Sequence, residues 1–253
     1  MTSGRPDAAW LLRFEGSDPA GTGTREVLCA TGNGYLVSRA SAPEARADGV
    51  HYPGTYLAGV YDRASSEVAG RTVENEDLVN CPNWLPLTFR PSGGAWFTGP
   101  PAEETLELDM QKGLLTRRAL VVDTLGRRTR LVQRRLASQA QPHLLALETE
   151  LTPENWSGRM EVRSALDGAV TNTGVARYRH LTGRHLVPAG TGWAPTECCG
   201  SRSRLRAHRC ASPWPPGPGC GTRVRTPRCP AATTSARTRH PRPWGSTWSG
   251  ASR

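Results

Sequence analysis

The chain contains no isoleucine and a single lysine, Lys112. Long apolar runs are also missing. No stretch approaches the roughly 20 residues that span a bilayer, which excludes a membrane-spanning helix and a membrane partner. Near the N-terminus the only apolar run is Ala8 to Leu12, far short of the apolar core of a secretory signal. Up to Gly192 the only cysteines are Cys29 and Cys81, too few for a disulfide framework. Together these absences make the cytoplasm the expected location. From Trp193 onward the deficits deepen. That segment has no Lys, Asn, Asp, Gln or Tyr, and its only large aliphatic residues are Leu205 and Val224. A chain so poor in aliphatic side chains buries too little apolar surface to offset its conformational entropy. Residues 193–253 are therefore expected to be a disordered Arg/Pro/Cys-rich tail, and residues 8–192 the folded domain.

Several chemistries are excluded by missing motifs. There is no phosphate-binding Walker loop, no H-E-x-x-H and no G-x-S-x-G. Gly32-Asn33-Gly34 lacks the third glycine and the following helix of a dinucleotide fingerprint. Five cysteines lie in the tail (Cys198, Cys199, Cys210, Cys220 and Cys229). They contain no C-x₂₋₄-C knuckle, so no structural metal site is expected.

The charge that is present is unevenly spread. The net charge of +10 over 253 residues suggests a polyanion partner. However, the tail alone carries eleven arginines and one acid, Glu197 (11 − 1 = +10), which leaves residues 1–192 neutral. The domain itself is thus expected to bind no nucleic acid. A basic nucleic-acid binder acting through the tail is the alternative that charge allows.

Within the domain the dominant pattern has period two. Leu114, Leu120 and Val122 are expected on one face of a strand. Leu145, Leu147, Thr149 and Leu151 alternate with Glu148 and Glu150. Met160, Val162, Ser164 and Leu166 alternate with Arg159, Glu161, Arg163 and Asp167. Gly16 to Thr24 reads as a Gly/Pro/Asp loop, and no segment shows a strong 3.6-residue stripe. The pattern predicts an all-β domain, a large antiparallel β-sandwich. At roughly 190 residues such a domain can bury close to 70% of its unfolded surface.

The stretch Gly32–Leu87 concentrates glycine, tyrosine and polar amides. Tyr52, Tyr56, Tyr61 and Trp84 offer flat faces that suit sugar C–H groups, and amide side chains suit hydroxyls. Pro82 and Pro86 deny the Leu78–Phe89 segment a helix, so Asn80, Asn83 and Trp84 are presented from extended or turning backbone. Asn80, Asn83, Trp84 and Tyr56 are the candidate site residues. The acidic clusters Glu74/Glu76/Asp77 and Glu103/Glu104 read as solvated faces. A pair of carboxyls placed across a glycosidic bond cannot be located from spacing.

Three motifs in order, GNGYLVSR, GVHYPGTYLAGVYDR and ENEDLVNCPNWLPLTFR, followed by LTPENWSGRMEVRSALDGAVTNTGVARYRHL, resemble the N-terminal domain of glycoside hydrolase family 65. This is the family of maltose, trehalose and kojibiose phosphorylases and acid trehalases. The resemblance covers Trp10 to Gly192. It implies a β-sandwich that in the family precedes a helical linker and an (α/α)₆ barrel bearing the general-acid glutamate. It implies inverting cleavage of an α-glucoside disaccharide by phosphate or water, with no cofactor beyond phosphate as co-substrate. It further implies a homodimer for the full-length family, and it makes Asn80, Asn83, Trp84 and Tyr56 either carbohydrate-facing or barrel-facing. Val37 and Ala40 stand where the family often has glycine. No residue matches the motif around the catalytic glutamate, so no catalytic residue is assigned, and the chain is expected to be a fragment without the barrel. A GC-rich reading frame shifted out of register yields the composition of the tail, so a frame change after about Gly192 is expected. A stand-alone carbohydrate-binding module is the alternative within sugar chemistry.

Overall fold

The structure, a computed structural model, describes residues 8–173, 180–193 and 199–205. A 3₁₀ turn (Ala8–Trp10) leads into β1 (Leu11–Glu15), and a single helix, α1 (Pro19–Leu28), follows. The strands then run β2 (Thr31–Gly32), β3 (Leu36–Ser38), β4 (Thr55–Leu57), β5 (Tyr61–Val68), β6 (Arg71–Leu78) and β7 (Leu87–Pro91). They continue as β8 (Glu103–Asp109), β9 (Leu114–Val122), β10 (Arg128–Ala137), β11 (Leu145–Pro153), β12 (Met160–Ser164), β13 (Leu186–Trp193) and β14 (Cys199–Leu205). All pairings are antiparallel, as the period-two pattern requires.

The backbone of the fold is a five-stranded sheet in the order β1-β8-β9-β10-β11. Its turns are chemically specified. Between β9 and β10, Asp123 Oδ1 accepts from the amides of Leu125 (2.9 Å) and Arg127 (3.0 Å), and Gly126 takes the left-handed conformation at φ 72°. The inner face of this sheet is covered by two smaller units. The β7–β12 pair lies over one half, where Phe89, Ala119, Val121 and Leu131 are buried together with Phe97, Leu151, Met160 and Val162 around them. The end of α1 and the strand-to-loop segment at Ala40 cover the other half, through Cys29, Ala40, Leu108 and Leu115 with Leu12, Phe14 and Leu106. Burial pushes the Cys29 thiol, and likewise the Cys81 thiol, up to about 11.

One local expectation is corrected. The stretch from Gly16 is not all loop, because Pro19–Leu28 is helical. Asp18 caps it by accepting from the amides of Ala20 and Gly21, and Pro19 occupies the first helical turn. The Asp-Pro signal that reads as a turn is equally a helix start. Gly21 and Gly23 weaken the helix by about 1 kcal/mol each relative to alanine, so it is held by tertiary contacts such as buried Glu26 and Cys29. On β9 the row facing the covering layer is Leu115, Arg117, Ala119 and Val121, while Val122 is 43% exposed. Leu114, Leu120 and Val122 share the opposite face of the strand.

The hairpin β13–β14 pairs Leu186 with Leu205 and Trp193 with Cys199. The boundary expected at Gly192 therefore falls within β13, and β14 lies in the stretch expected to be disordered. Pairing of this kind is a backbone ladder, which a count of core-forming side chains does not register. Residues 194–198 and 206–253, the rest of the expected tail, lie outside the described residues. No helix among the described residues is long and apolar enough to cross a membrane.

Candidate functional site

The four residues singled out in the sequence converge on the β3–β4 region, and the structure accounts for each by local bonding. Asn80 is buried, and its side chain works at both ends. Oδ1 accepts from the Thr55 amide at 3.0 Å, and Nδ2 donates to the carbonyls of Pro53 and Thr171, both at 3.2 Å. Asn172 reinforces the junction by accepting from the Asn80 amide at 2.9 Å and donating to Leu78 O at 2.8 Å. Asn83, also buried, accepts from the Leu85 amide at 3.1 Å, and its backbone forms a bridge with Asp167. Trp84 donates its indole N–H to Ser38 Oγ at 3.0 Å. Tyr56 donates to the Tyr52 hydroxyl at 3.1 Å, and Tyr52 in turn donates to Thr171 O and accepts from the Thr173 amide. Burial and this hydrogen bond push the Tyr56 phenol up. The ring of Tyr52 is covered by the Arg39 guanidinium, 5.0 Å from the centroid.

Asn80 and Asn83, with Tyr52 and Asp167, line a cleft of about 40 Å³. That volume holds an ordered water and is far below the roughly 300–1,000 Å³ of small-molecule sites. Trp84 and Tyr56 do not line it.

A second cleft, of about 510 Å³, is more capacious. It lies between α1, the loop carrying Ala42 to His51, and the turn at Thr98–Pro101. Its floor is Arg117, fully buried on β9. Arg117 Nη2 and Nη1 bind the two oxygens of Glu44 at 2.6 and 2.8 Å, Nε binds Glu104 Oε1, and Nη1 also donates to Gln133 at 3.1 Å. Burial alone would push this guanidinium down, but the Glu44 and Glu104 carboxylates outweigh it and hold it above its ordinary value. Next to it on β10, buried Arg135 donates to Ser41 O at 2.9 Å. Burial and repulsion from Arg117 push it down to about 10.

The wall is Glu26, on the buried side of α1. Its Oε1 meets His51 Nδ1 at 3.0 Å, and its Oε2 accepts from the Tyr52 amide at 3.0 Å. Burial raises the Glu26 carboxyl, yet these hydrogen bonds prevail and hold it below the usual carboxylate range, while the same bond raises His51. Nothing in the linear sequence brings Glu26, Glu44, Glu104 and Arg117 together. They are separated by up to 91 residues (117 − 26) and meet only when α1 and the 42–51 loop fold over the sheet.

Of the acidic clusters expected to be solvated, Glu74, Glu76 and Glu103 are exposed, while Asp77 and Glu104 are half-buried. Glu76 pairs with Arg63 at 2.7 Å, and Asp77 meets His185 Nε2 at 3.2 Å. His185, 1% exposed, also places Nδ1 3.0 Å from Asp62. Among the described residues no group of His, Cys, Asp and Glu side chains could hold a metal ion.

The geometry defines a class first: an antiparallel β-sandwich with a single five-stranded sheet as its frame. The chain belongs to glycosyl hydrolase family 65. The model of that family's N-terminal domain matches residues 12–223, so the match runs 31 residues beyond Gly192 (223 − 192). An uncharacterized glycosyl hydrolase of Mycobacterium tuberculosis is 49% identical over 190 residues, 72% of this chain and 14% of that protein. The trehalose 6-phosphate phosphorylase of Lactococcus lactis is 31% identical over 174 residues, 67% of this chain and 22% of that protein. The kojibiose phosphorylase of Caldanaerobacter subterraneus is 31% identical over 186 residues, 69% of this chain and 22% of that protein. The fold matches a solved structure of a candidate kojibiose phosphorylase from the human microbiome. The TM-score is 0.65 at 13% identity, over 78% of this chain and 26% of that one. The chain thus spans between about a seventh and a quarter of the relatives it resembles.

Proposed function

We propose that this chain serves as the non-catalytic N-terminal domain of an inverting enzyme that cleaves an α-glucosidic bond with phosphate or water. Disaccharides such as maltose, trehalose or kojibiose are the substrates on this reading. The observation that carries it is the state of the carboxylates in the larger cleft. Inverting hydrolysis or phosphorolysis needs one carboxyl that holds a proton at neutral pH for the leaving oxygen. Here Glu44 and Glu104 are tied to Arg117, and Glu26 to His51. Asp48 accepts from the amides of His51 and Val50, which hold it below the usual carboxylate range. Each of these four carboxylates is already committed to a cation, an imidazole or backbone amides, so the general acid is assigned to the part of the relatives that this chain does not span. Homodimerisation belongs to that larger protein on the same reading.

The test is an assay of the purified chain with each disaccharide, with and without phosphate. No glucose or glucose 1-phosphate is expected, and release of either above a blank overturns the proposal. A change of reading frame after about Gly192 belongs to the same proposal. The break in composition there supports it, and the family match reaching Arg223 opposes it. The nucleotide sequence decides. A family-like barrel encoded in another frame past codon 192 is expected, and its absence from all frames refutes the idea.

A further inference from the structure

The cleft above Arg117 has the volume of a ligand site, about 510 Å³, and the lining decides which ligand. On the acceptor side, the buried Arg117 fork fixes Glu44 and Glu104 in place. Each Glu44 oxygen uses one lone-pair direction on Arg117, and Glu104 Oε2 makes no hydrogen bond among the described residues. On the donor side, His51 is oriented by its Nδ1 contact with Glu26, which leaves Nε2 without a partner among the described residues. The guanidinium of Arg46, at the exposed rim of the cleft, makes no ion pair or hydrogen bond there either. Between these groups lie Pro100, Pro101, Leu106 and Val50.

The charges nearly cancel. Four carboxylates (Glu26, Glu44, Asp48, Glu104) face three guanidinium groups (Arg25, Arg46, Arg117) and the imidazole of His51. Neither a free anion nor a free cation is favoured by such a lining. A ligand rich in hydroxyl groups is, because a hydroxyl both donates to a fixed carboxylate and accepts from a guanidinium or imidazole, and its C–H edges suit the proline and aliphatic surface.

We propose that this cleft is a binding site for a neutral mono- or disaccharide, with Glu104 accepting from sugar hydroxyls and His51 and Arg46 donating to them. The proposal rests on the family reading for the choice of sugar, while the chemistry of the lining stands without it. The site is built wholly within this domain and requires no bond cleavage, so it fails or survives separately from the assay of turnover.

The experiment is calorimetric titration of the full chain with glucose, with trehalose and, as a small-polyol control, with glycerol. Two variants leave the buried ion cluster untouched. Arg46→Ala removes the rim donor, and Ala45→Trp fills the cleft from its own lining. Thermal melts confirm that both fold. Saturable binding of glucose or trehalose is expected, weakened about tenfold by Arg46→Ala, the loss of one charge-assisted hydrogen bond, and abolished by Ala45→Trp. Three results each overturn the proposal: no saturation by either sugar in the tens of millimolar, glycerol binding as tightly as the sugars, or sugar binding that persists in folded Ala45→Trp. If Ala45→Trp does not fold, displacement of the His51 imidazole resonances by sugar in the unmodified chain takes its place, and unmoved resonances count against the site.

Discussion

Replacing Arg117 by methionine removes the cation under the larger cleft and leaves Glu44 with no guanidinium partner. Arg117 and Glu44 side chains are each 4% exposed, so water cannot take over the charge of Glu44 without opening the fold. Breaking a buried pair from one side costs about 3–5 kcal/mol. Glu104, at 20% side-chain exposure, can turn toward solvent and adds little. For a domain of this size each kcal/mol lowers the melting temperature by about 2–4 °C, so Arg117→Met is expected to melt about 6–20 °C below the parent. Glu44→Met is expected to cost less, because Arg117 keeps Glu104 and Gln133. The double variant, which replaces both charges with apolar volume, is expected to recover about 2 kcal/mol or more relative to the sum of the singles. Arg117→Lys keeps the charge but not the fork, and is expected to fall between parent and methionine. Urea denaturation followed by far-ultraviolet circular dichroism, with slopes compared to exclude a changed denatured state, provides the measurement. A cost below about 1 kcal/mol for Arg117→Met, or strict additivity in the double variant, refutes the reasoning that this arginine is a compensated buried charge.

Asn80→Ala is expected to cost about 3 kcal/mol, because it strips partners from the Thr55 amide and the Pro53 and Thr171 carbonyls. A destabilisation near zero in a melt would argue that the residue is kept for a ligand instead. The Glu26–His51 pair predicts a pH window. Glu26 is lowered from 4.5, so its stabilisation is present above that value and fades as acid takes the pH below it; His51 is raised from 6.5, so its stabilisation is full below that value and fades as the pH rises through its higher folded value. The parent is thus expected to lose stability relative to His51→Gln both on acidification below about 4.5 and on moving from pH 6 toward pH 8, and parallel pH profiles for the two proteins would contradict this. In the two-residue turn of the β5–β6 hairpin, Ala69 holds φ 51° beside Gly70 at φ 74°. Ala69→Asn is expected to stabilise by about 0.5–1 kcal/mol, since asparagine tolerates that conformation, and an unchanged or lower midpoint would refute the turn assignment.

The parts of the fold that were legible in the sequence are those where one face is apolar and the other charged. Leu145, Leu147 and Leu151 against Glu148 and Glu150 predict β11 with its correct face, and Met160 and Val162 do the same for β12. On β9 alternation does not tell which face turns inward, for a physical reason. Both of its rows carry an arginine, and the row that faces inward is the one whose arginine finds Glu44, 73 residues earlier in the chain. Alternation cannot reveal a charge that is neutralised from so far away. The helix was hidden by its own glycines, since Gly21 and Gly23 suit a loop as well as a helix supported by its neighbours. Of the candidate residues, the presentation of Asn80, Asn83 and Trp84 from non-helical backbone was legible from Pro82 and Pro86. The commitment of Asn80 to backbone groups of Pro53, Thr55 and Thr171, and of Trp84 to Ser38, was not, because those partners come from other segments. The larger cleft had no linear signal at all. Its acids are scattered through α1, a loop and β8, and its floor is an arginine in the middle of a strand.

The contacts of His185 carry a consequence for synthesis on the ribosome. Asp62 precedes its imidazole partner by 123 residues, and Asp77 by 108. At about 5–20 residues per second, Asp62 emerges about 6–25 s before that partner exists. β1 waits in the same way, since Leu11 pairs with Asp109. The nascent chain therefore carries an unpaired first strand until residue 109 has been added and the Asp62 and Asp77 side chains in water until residue 185 has, and only then is the hairpin β5–β6 clamped.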